Sequence, residues 1–175
     1  PEHLAAMARF SLATGLRESN VVGLEWSQVD LDRRCAWIHP DQSKTGNAIP
    51  VPLNPDAVAV WMSQLGANAR TVFTYRGKPV TRANNHAWRK ALVRAGIADF
   101  RWHDLRHTWA SWHIQQGTPL NVLQELGGWS DPQMVQRYAH WSVEHLASYV
   151  ATLSGPEIST KLAQQEKSED RVTLR

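Results

Sequence analysis

The reading of this chain turns on one stretch, Trp102-His103-Asp104-Leu105-Arg106-His107. On a helix, residues three and four apart share a face, so His103, Arg106 and His107 project together. Three readings fit that face. His-Asp-x-x-His is similar to the His-Glu-x-x-His helix of zinc enzymes. Arg106 would then hold a permanent cation beside the metal, and no third ligand stands at a suitable spacing. A half-buried helix with polar residues along one side is the plain structural alternative. The third is an anion site, in which a guanidinium grips a phosphate and a neighbouring imidazole moves a proton.

Around this stretch the pattern is helical. Thr81 is expected to cap a helix over residues 81–95, stopped by Gly96. Further helices are expected over residues 104–115, 120–126, 132–138 and 143–153. Toward the N-terminus, Leu4, Met7, Ala8 and Leu12 share a face of a helix over residues 2–13, ended by Gly15. A short helix over 18–24 follows. Residues 35–38 and 48–53 read as strands of a hairpin joined by the polar turn at 41–47. Pro50 and Pro52 alternate, as an edge strand tolerates. Asn54-Pro55 opens a helix to about residue 64, and Thr71-Val72-Phe73 is a candidate third strand. The fold class is α+β, mostly α-helical, with a small antiparallel sheet near the N-terminal part. Residues 1–154 read as one domain. Residues 155–175 read as a polar tail, expected to be mobile unless a partner orders it.

Composition narrows the classes. With 175 residues, 42% hydrophobic and 20% charged, the chain is globular rather than disordered. No apolar run of about 18 residues is present, which excludes a membrane-spanning helix. The opening Pro1-Glu2-His3 has no initiator methionine and no signal-peptide pattern, so the chain reads as a piece of something longer. A single cysteine, Cys35, excludes an internal disulfide and suits a reducing cytosol. The net charge of +3 hides an uneven distribution. Between Arg70 and Arg106 nine basic residues stand against Asp99 and Asp104, and the rest of the chain is net acidic. Such a block suits polyanion binding, or forms a solvated helix face. Most of the 9 tryptophans are expected in the core.

Other segments favour the anion reading. Ala13-Thr14-Gly15-Leu16-Arg17 puts an arginine just after a helix-stopping glycine. Lys44 lies in the hairpin turn, from which an ammonium can reach a ligand. Leu126-Gly127-Gly128-Trp129 precedes Tyr138-Ala139-His140, with Tyr138 nine residues beyond Trp129. Singly each is unremarked: a surface charge, a solvated turn, a core indole, an amphipathic filler. In order, Thr-Gly-Leu-Arg at 14–17, Lys44, His-Asp-Leu-Arg-His-Thr at 103–108, Leu-Gly-Gly-Trp at 126–129 and Arg-Tyr-Ala-His at 137–140 resemble the catalytic domain of the tyrosine recombinases, the phage-integrase family. The resemblance runs from the first helix to about residue 153.

The resemblance implies a set of roles. Arg17 and Arg106 correspond to the two catalytic arginines, His103 to the histidine of the His-x-x-Arg box, and Lys44 to the hairpin lysine. Trp129 falls where the family has histidine or tryptophan, and Tyr138 where it has the nucleophile. His107 and His140 are supporting neighbours. Three residues after the first arginine the family usually carries an acid. Asn20 stands there, so a hydrogen-bonding role with a weaker charge is expected.

The residue types suit the implied reaction. A phenol of pKa about 10 needs help losing its proton. His103 is a plausible base and Lys44 a plausible acid for the departing 5′ oxygen. Two planar guanidiniums suit the charge growing on the phosphorus oxygens, and the Trp129 N–H could donate to them as well.

The implied function is site-specific DNA strand cleavage and rejoining through a 3′-phosphotyrosyl intermediate, with no cofactor, metal or ATP. The implied partners are double-stranded DNA and other protomers in a tetrameric synapse, in the cytoplasm and without a membrane. Alternatives are type IB topoisomerase-like relaxation and a catalytically inactive DNA-binding relative. The family's upstream DNA-clamping domain is not within these residues, so the isolated chain is expected to be monomeric or weakly associated. Beyond the tyrosine, Val143, Leu146, Ala147, Val150 and Leu153 form an apolar stripe that packs either on its own domain or on a neighbouring protomer.

Overall fold

The computed structural model describes residues 1–44, 46–139 and 150–151. Helix α1 (Glu2–Thr14) forms because Leu4, Met7 and Phe10 recur on one face and are buried. It ends at Gly15, whose left-handed φ of 66° returns its N–H to the Ser11 carbonyl. The buried face rests on α3 (Pro55–Met62) and α5 (Trp102–Gln115). Phe10 meets Phe73, and Trp61 stacks on Trp26, within the larger of two apolar clusters. Burying each such side chain contributes roughly 1.5–3 kcal/mol. Five of the tryptophans (Trp61, Trp88, Trp102, Trp109, Trp129) are buried, in line with expectation.

Between α2 (Glu18–Val22) and α3 the chain forms a three-stranded antiparallel sheet, order β1 (Val29–Asp30), β2 (Cys35–Ile38), β3 (Ile49–Pro52). The expected hairpin is β2–β3, with Trp37 opposite Pro50 and Ile38 opposite Ile49. β3 is an edge, with Ile49 and Val51 buried and the two prolines exposed, so the missing donors disturb no ladder. Sequence patterning missed β1, which is only two residues long. A second antiparallel pair joins β4 (Thr74–Tyr75) to β5 (Lys78–Pro79).

Four expectations need correction. No strand runs over 71–73. The Asn68 Oδ1 accepts from the Arg70 and Thr71 N–H groups and turns the chain there, leaving Thr71 a lone bridge to Glu25 while Val72 and Phe73 enter the core. Helix α4 (His86–Arg94) starts five residues after Thr81. Glu18 Oε1 captures the N–H groups of Ala83 and Asn84, holding that stretch as a loop, and Asn85 caps the helix by accepting from the Trp88 N–H. Helix α5 begins at Trp102, because Asp104 is not its start but accepts the Arg101 N–H at 2.7 Å and closes its first turn. After α6 (Leu120–Gly127), helix α7 (Gln133–Gln136) is a single turn. Tyr138 therefore lies in the turn that follows α7, not within a helix.

The chain divides into two compact units, Pro1–Ala139 and His140–Arg175. His140, the expected tail from Gly155, and the expected helix over 143–153 lie outside the described residues, save that Val150 and Ala151 are helical. Within the first unit a second apolar cluster, Trp109, Ala110, Ile114, Leu123, Trp129 and Val135, is packed against by the Tyr138 ring. It sits between α5, α6 and α7 and provides the floor of the site. No helix among the described residues is long and apolar enough to cross a membrane.

Candidate functional site

Arg106 projects from α5 and is only 4% exposed. Its Nη1 donates to the Gly15 carbonyl at 2.6 Å and its Nη2 to the Gly127 carbonyl at 2.5 Å. The guanidinium lies 4.1 Å from the centroid of the Trp129 ring. Both carbonyls belong to glycines for a steric reason. A Cβ on Gly15 would run into the Trp109 ring at a φ that side chains avoid, and one on Gly127 would run into Trp129. Thr-Gly-Leu-Arg and Gly-Gly-Trp thus converge on one buried cation. Burial, with Arg17 nearby, draws the Arg106 guanidinium down to about 10, so it is still charged near pH 7. Of its five N–H donors two are used by carbonyls, which leaves three for an anion.

Arg17 follows the α1 cap and precedes α2. Its Nη1 is buried and meets no acceptor. Burial lowers its pKa, and its charge also lowers those of Arg106 and His103. Arg17, Glu18, Ser19, Asn84, Arg101 and His103 line an open cleft of about 510 Å³. A buried guanidinium N–H without an acceptor is costly, and an anion bound beside Arg17 would supply one. Partial desolvation first, then His107, Arg106 and Arg17, hold His103 below the ordinary imidazole value against the opposing pull of Asp104, and the lowered value favours a ring able to accept a proton.

Tyr138 is half-buried, with its ring 6.0 Å from that of Trp129. Burial raises its pKa, and Arg137 and Arg106 draw it back. Its hydroxyl lies 2.5 Å from Nδ1 of His107 rather than against His103. The His103 and His107 rings meet edge-on at 4.8 Å. On the far side of His107, Nε2 lies 3.4 Å from Nη2 of Arg137. Sequence reasoning passed over Arg137 as a contributor, because an immediate neighbour of Tyr138 shows no helical spacing to α5.

The hairpin residues stand apart. Lys44 is exposed on the β2–β3 connection, and no hydrogen bond or ion pair joins it to the other candidates among the described residues. Asn20 is buried and donates to the Gln42 carbonyl at 2.8 Å, two residues before that lysine. Gln28 also donates to the Gln42 side chain and to the Trp37 carbonyl. Asn20 therefore anchors the base of the lysine loop. The basic block divides as well. Arg70 pairs with Glu25 and Arg101 with Asp104, whereas Arg89, Lys90 and Arg94 of α4 are exposed without an ion pair among the described residues.

The chain is similar to known proteins. Residues 1–145 match the model of the phage integrase family. The integrase of Salmonella phage P22 is 50% identical over 161 residues, covering 85% of this chain and 42% of that protein. The tyrosine recombinase XerC of Xanthomonas campestris is 33% identical over 149 residues, covering 81% of this chain and 45% of its own. The chain thus spans less than half the length of these curated relatives. Among solved structures, the Tn1549 transposon integrase in complex with circular intermediate DNA superposes with a TM-score of 0.70 at 18% identity, over 85% of this chain and 59% of that one. A lambda integrase dimer bound to a core site gives 0.67 at 20% identity, over 81% of this chain and 55% of that one. Likeness at that identity fixes the fold, a tyrosine-recombinase catalytic domain, and the match over residues 1–145 fixes the kinship. The chain belongs to the phage integrase family.

Proposed function

We propose that this chain supplies the catalytic domain of an enzyme that cuts and rejoins DNA strands in site-specific recombination through a 3′-phosphotyrosyl intermediate. The observation that carries the reading is the unpartnered Arg17 Nη1, with Arg106 clamped by two carbonyls and His103 one turn before it on α5. A phosphodiester bound beside Arg17 gives its Nη1 an acceptor and approaches the N–H groups of Arg106 that no carbonyl takes. The Tyr138 oxygen attacks phosphorus as the bond to the 5′ oxygen breaks, with the phenol proton passing to His103. Lys44, carried on the loop that Asn20 anchors, gives a proton to the departing 5′ oxygen. Charge growing on the non-bridging oxygens is met by the two guanidiniums, worth about 10²–10³ in rate per donor lost. A DNA hydroxyl later reverses the step, so the phosphotyrosyl ester conserves the energy of the broken bond.

In this reading residues 1–154 form the catalytic domain and 155–175 a polar tail. The exposed Arg89, Lys90 and Arg94 support binding to a DNA duplex, where neutralised phosphates release counterions. Exchange between two duplexes requires several protomers on DNA, in the cytoplasm of a bacterial cell. The P22 and XerC relatives favour recombination over simple relaxation of supercoils. The test is a nicked suicide duplex incubated with the full-length protein in excess EDTA. A protein–DNA band that resists SDS supports the reading. Cleavage that appears only when Mg²⁺ is restored sinks it.

A further inference from the structure

His107 lies between two groups of fixed character. Arginine only donates hydrogen bonds, so the Arg137 Nη2 at 3.4 Å makes Nε2 of His107 the acceptor. A neutral imidazole carries one proton, and with Nε2 accepting, that proton sits on Nδ1. Nδ1 is the atom 2.5 Å from the Tyr138 oxygen. The opposite assignment, with the phenol donating to Nδ1, would put the imidazole proton on Nε2 and point it at a guanidinium N–H.

We infer that His107 donates a hydrogen bond to the nucleophile, oriented by Arg137, and so holds and stabilises the Tyr138 phenolate instead of taking the phenol proton. This rests on the proposed role of Tyr138. His107 touches a reacting atom, whereas Arg137 acts through it as a positioning residue. The proton leaves the phenol on the side of the phosphate, to His103, while the Nδ1–H bond strengthens as negative charge gathers on the oxygen. The charges facing His107 agree with a neutral ring. Burial first, then Arg137, Arg101 and Arg106, oppose a second proton, and the nearby carboxylate that favours one, Asp104, is engaged by Arg101.

The experiment compares two substitutions of similar size in the full-length protein. His107→Asn keeps an N–H near the position of Nδ1, and His107→Asp puts an acceptor there. The readout is the rate of covalent complex formation on the suicide duplex across pH 6–9, with thermal unfolding measured alongside. His107→Asn should retain activity within about ten-fold, since a donor remains. His107→Asp should lose about 10²–10³-fold across the range, since a carboxylate beside the oxygen opposes the phenolate. Equal or greater activity of the Asp variant overturns the inference, because it makes His107 an acceptor or a filler. If both variants fail, ¹⁵N NMR of His107 in the wild-type chain decides. A proton on Nδ1 upholds the inference, and one on Nε2 overturns it. An adduct mapping to a residue other than Tyr138 in the wild type would instead refute the nucleophile, which separates the two failures.

Discussion

Replacing Arg106 and Arg17 separately by lysine should give opposite balances of stability and rate. In Arg106→Lys the ammonium falls where Cζ stood, one bond short of both carbonyls. At least one of the buried Gly15 and Gly127 oxygens then loses its donor, at about 1–3 kcal/mol. Loss of the guanidinium stacked on Trp129 adds roughly 0.5–2 kcal/mol. A combined destabilisation of about 1.5–5 kcal/mol lowers the melting midpoint of a domain this size by roughly 3–20 °C. Arg17→Lys breaks no internal hydrogen bond of the unpartnered Nη1, so its midpoint should move by only about 2 °C. Both variants should still cleave DNA far more slowly than wild type, because the planar fork matters most as charge develops in the transition state. The assay pairs circular-dichroism melting at pH 7.5 with single-turnover cleavage. An Arg106→Lys midpoint equal to wild type, or an Arg17→Lys midpoint equally depressed, would show that the two carbonyl bonds do not hold Arg106 as described.

Asn20→Asp should weaken the domain and slow cleavage even though it restores the acid usual in the family. A carboxylate cannot donate to the Gln42 carbonyl, and melting together with cleavage rate checks this. Stability should also fall as pH drops from 7.5 toward 5.5. Burial holds His103, His107 and His113 below the ordinary 6.5, so their contribution is present above that value and is lost as pH falls through their folded-state pKa values. Replacing His113 with Gln should flatten that slope in a melting series, and an unchanged slope would exclude it as a contributor. Gly127→Ala should destabilise by about 1–3 kcal/mol through collision with Trp129, read by chemical denaturation.

Most of the framework was legible because it is built from local signals. The Gly15 stop after an apolar helix face, the Pro50/Pro52 edge strand and the Asn54-Pro55 helix start each act within a few residues. What escaped was set by distant partners. Thr81 carries a good capping side chain, yet Glu18, more than sixty residues away, takes the Ala83 and Asn84 N–H groups and delays the helix to His86. The site divides the same way. Motif order pointed to Arg17, His103, Arg106, Trp129 and Tyr138 together. Spacing could not reveal that Arg106 is clamped by two glycine carbonyls, nor that Tyr138 meets His107 instead of His103, since both depend on how α6 and the turn after α7 meet α5. Asn20 illustrates the limit of analogy. Its position marked a departure from the family, and its hydrogen bond to Gln42 gives that departure a structural task.

Tyr138 is expected to become covalently joined to DNA, and locating the attachment tests this. The full-length protein is trapped on a nicked suicide duplex in excess EDTA, digested with nuclease and protease, and the adduct is mapped by mass spectrometry. A nucleotide 3′-phosphate is expected on the peptide containing Tyr138, with no adduct in Tyr138→Phe. An adduct on any other residue, or one that survives Tyr138→Phe, would contradict this assignment.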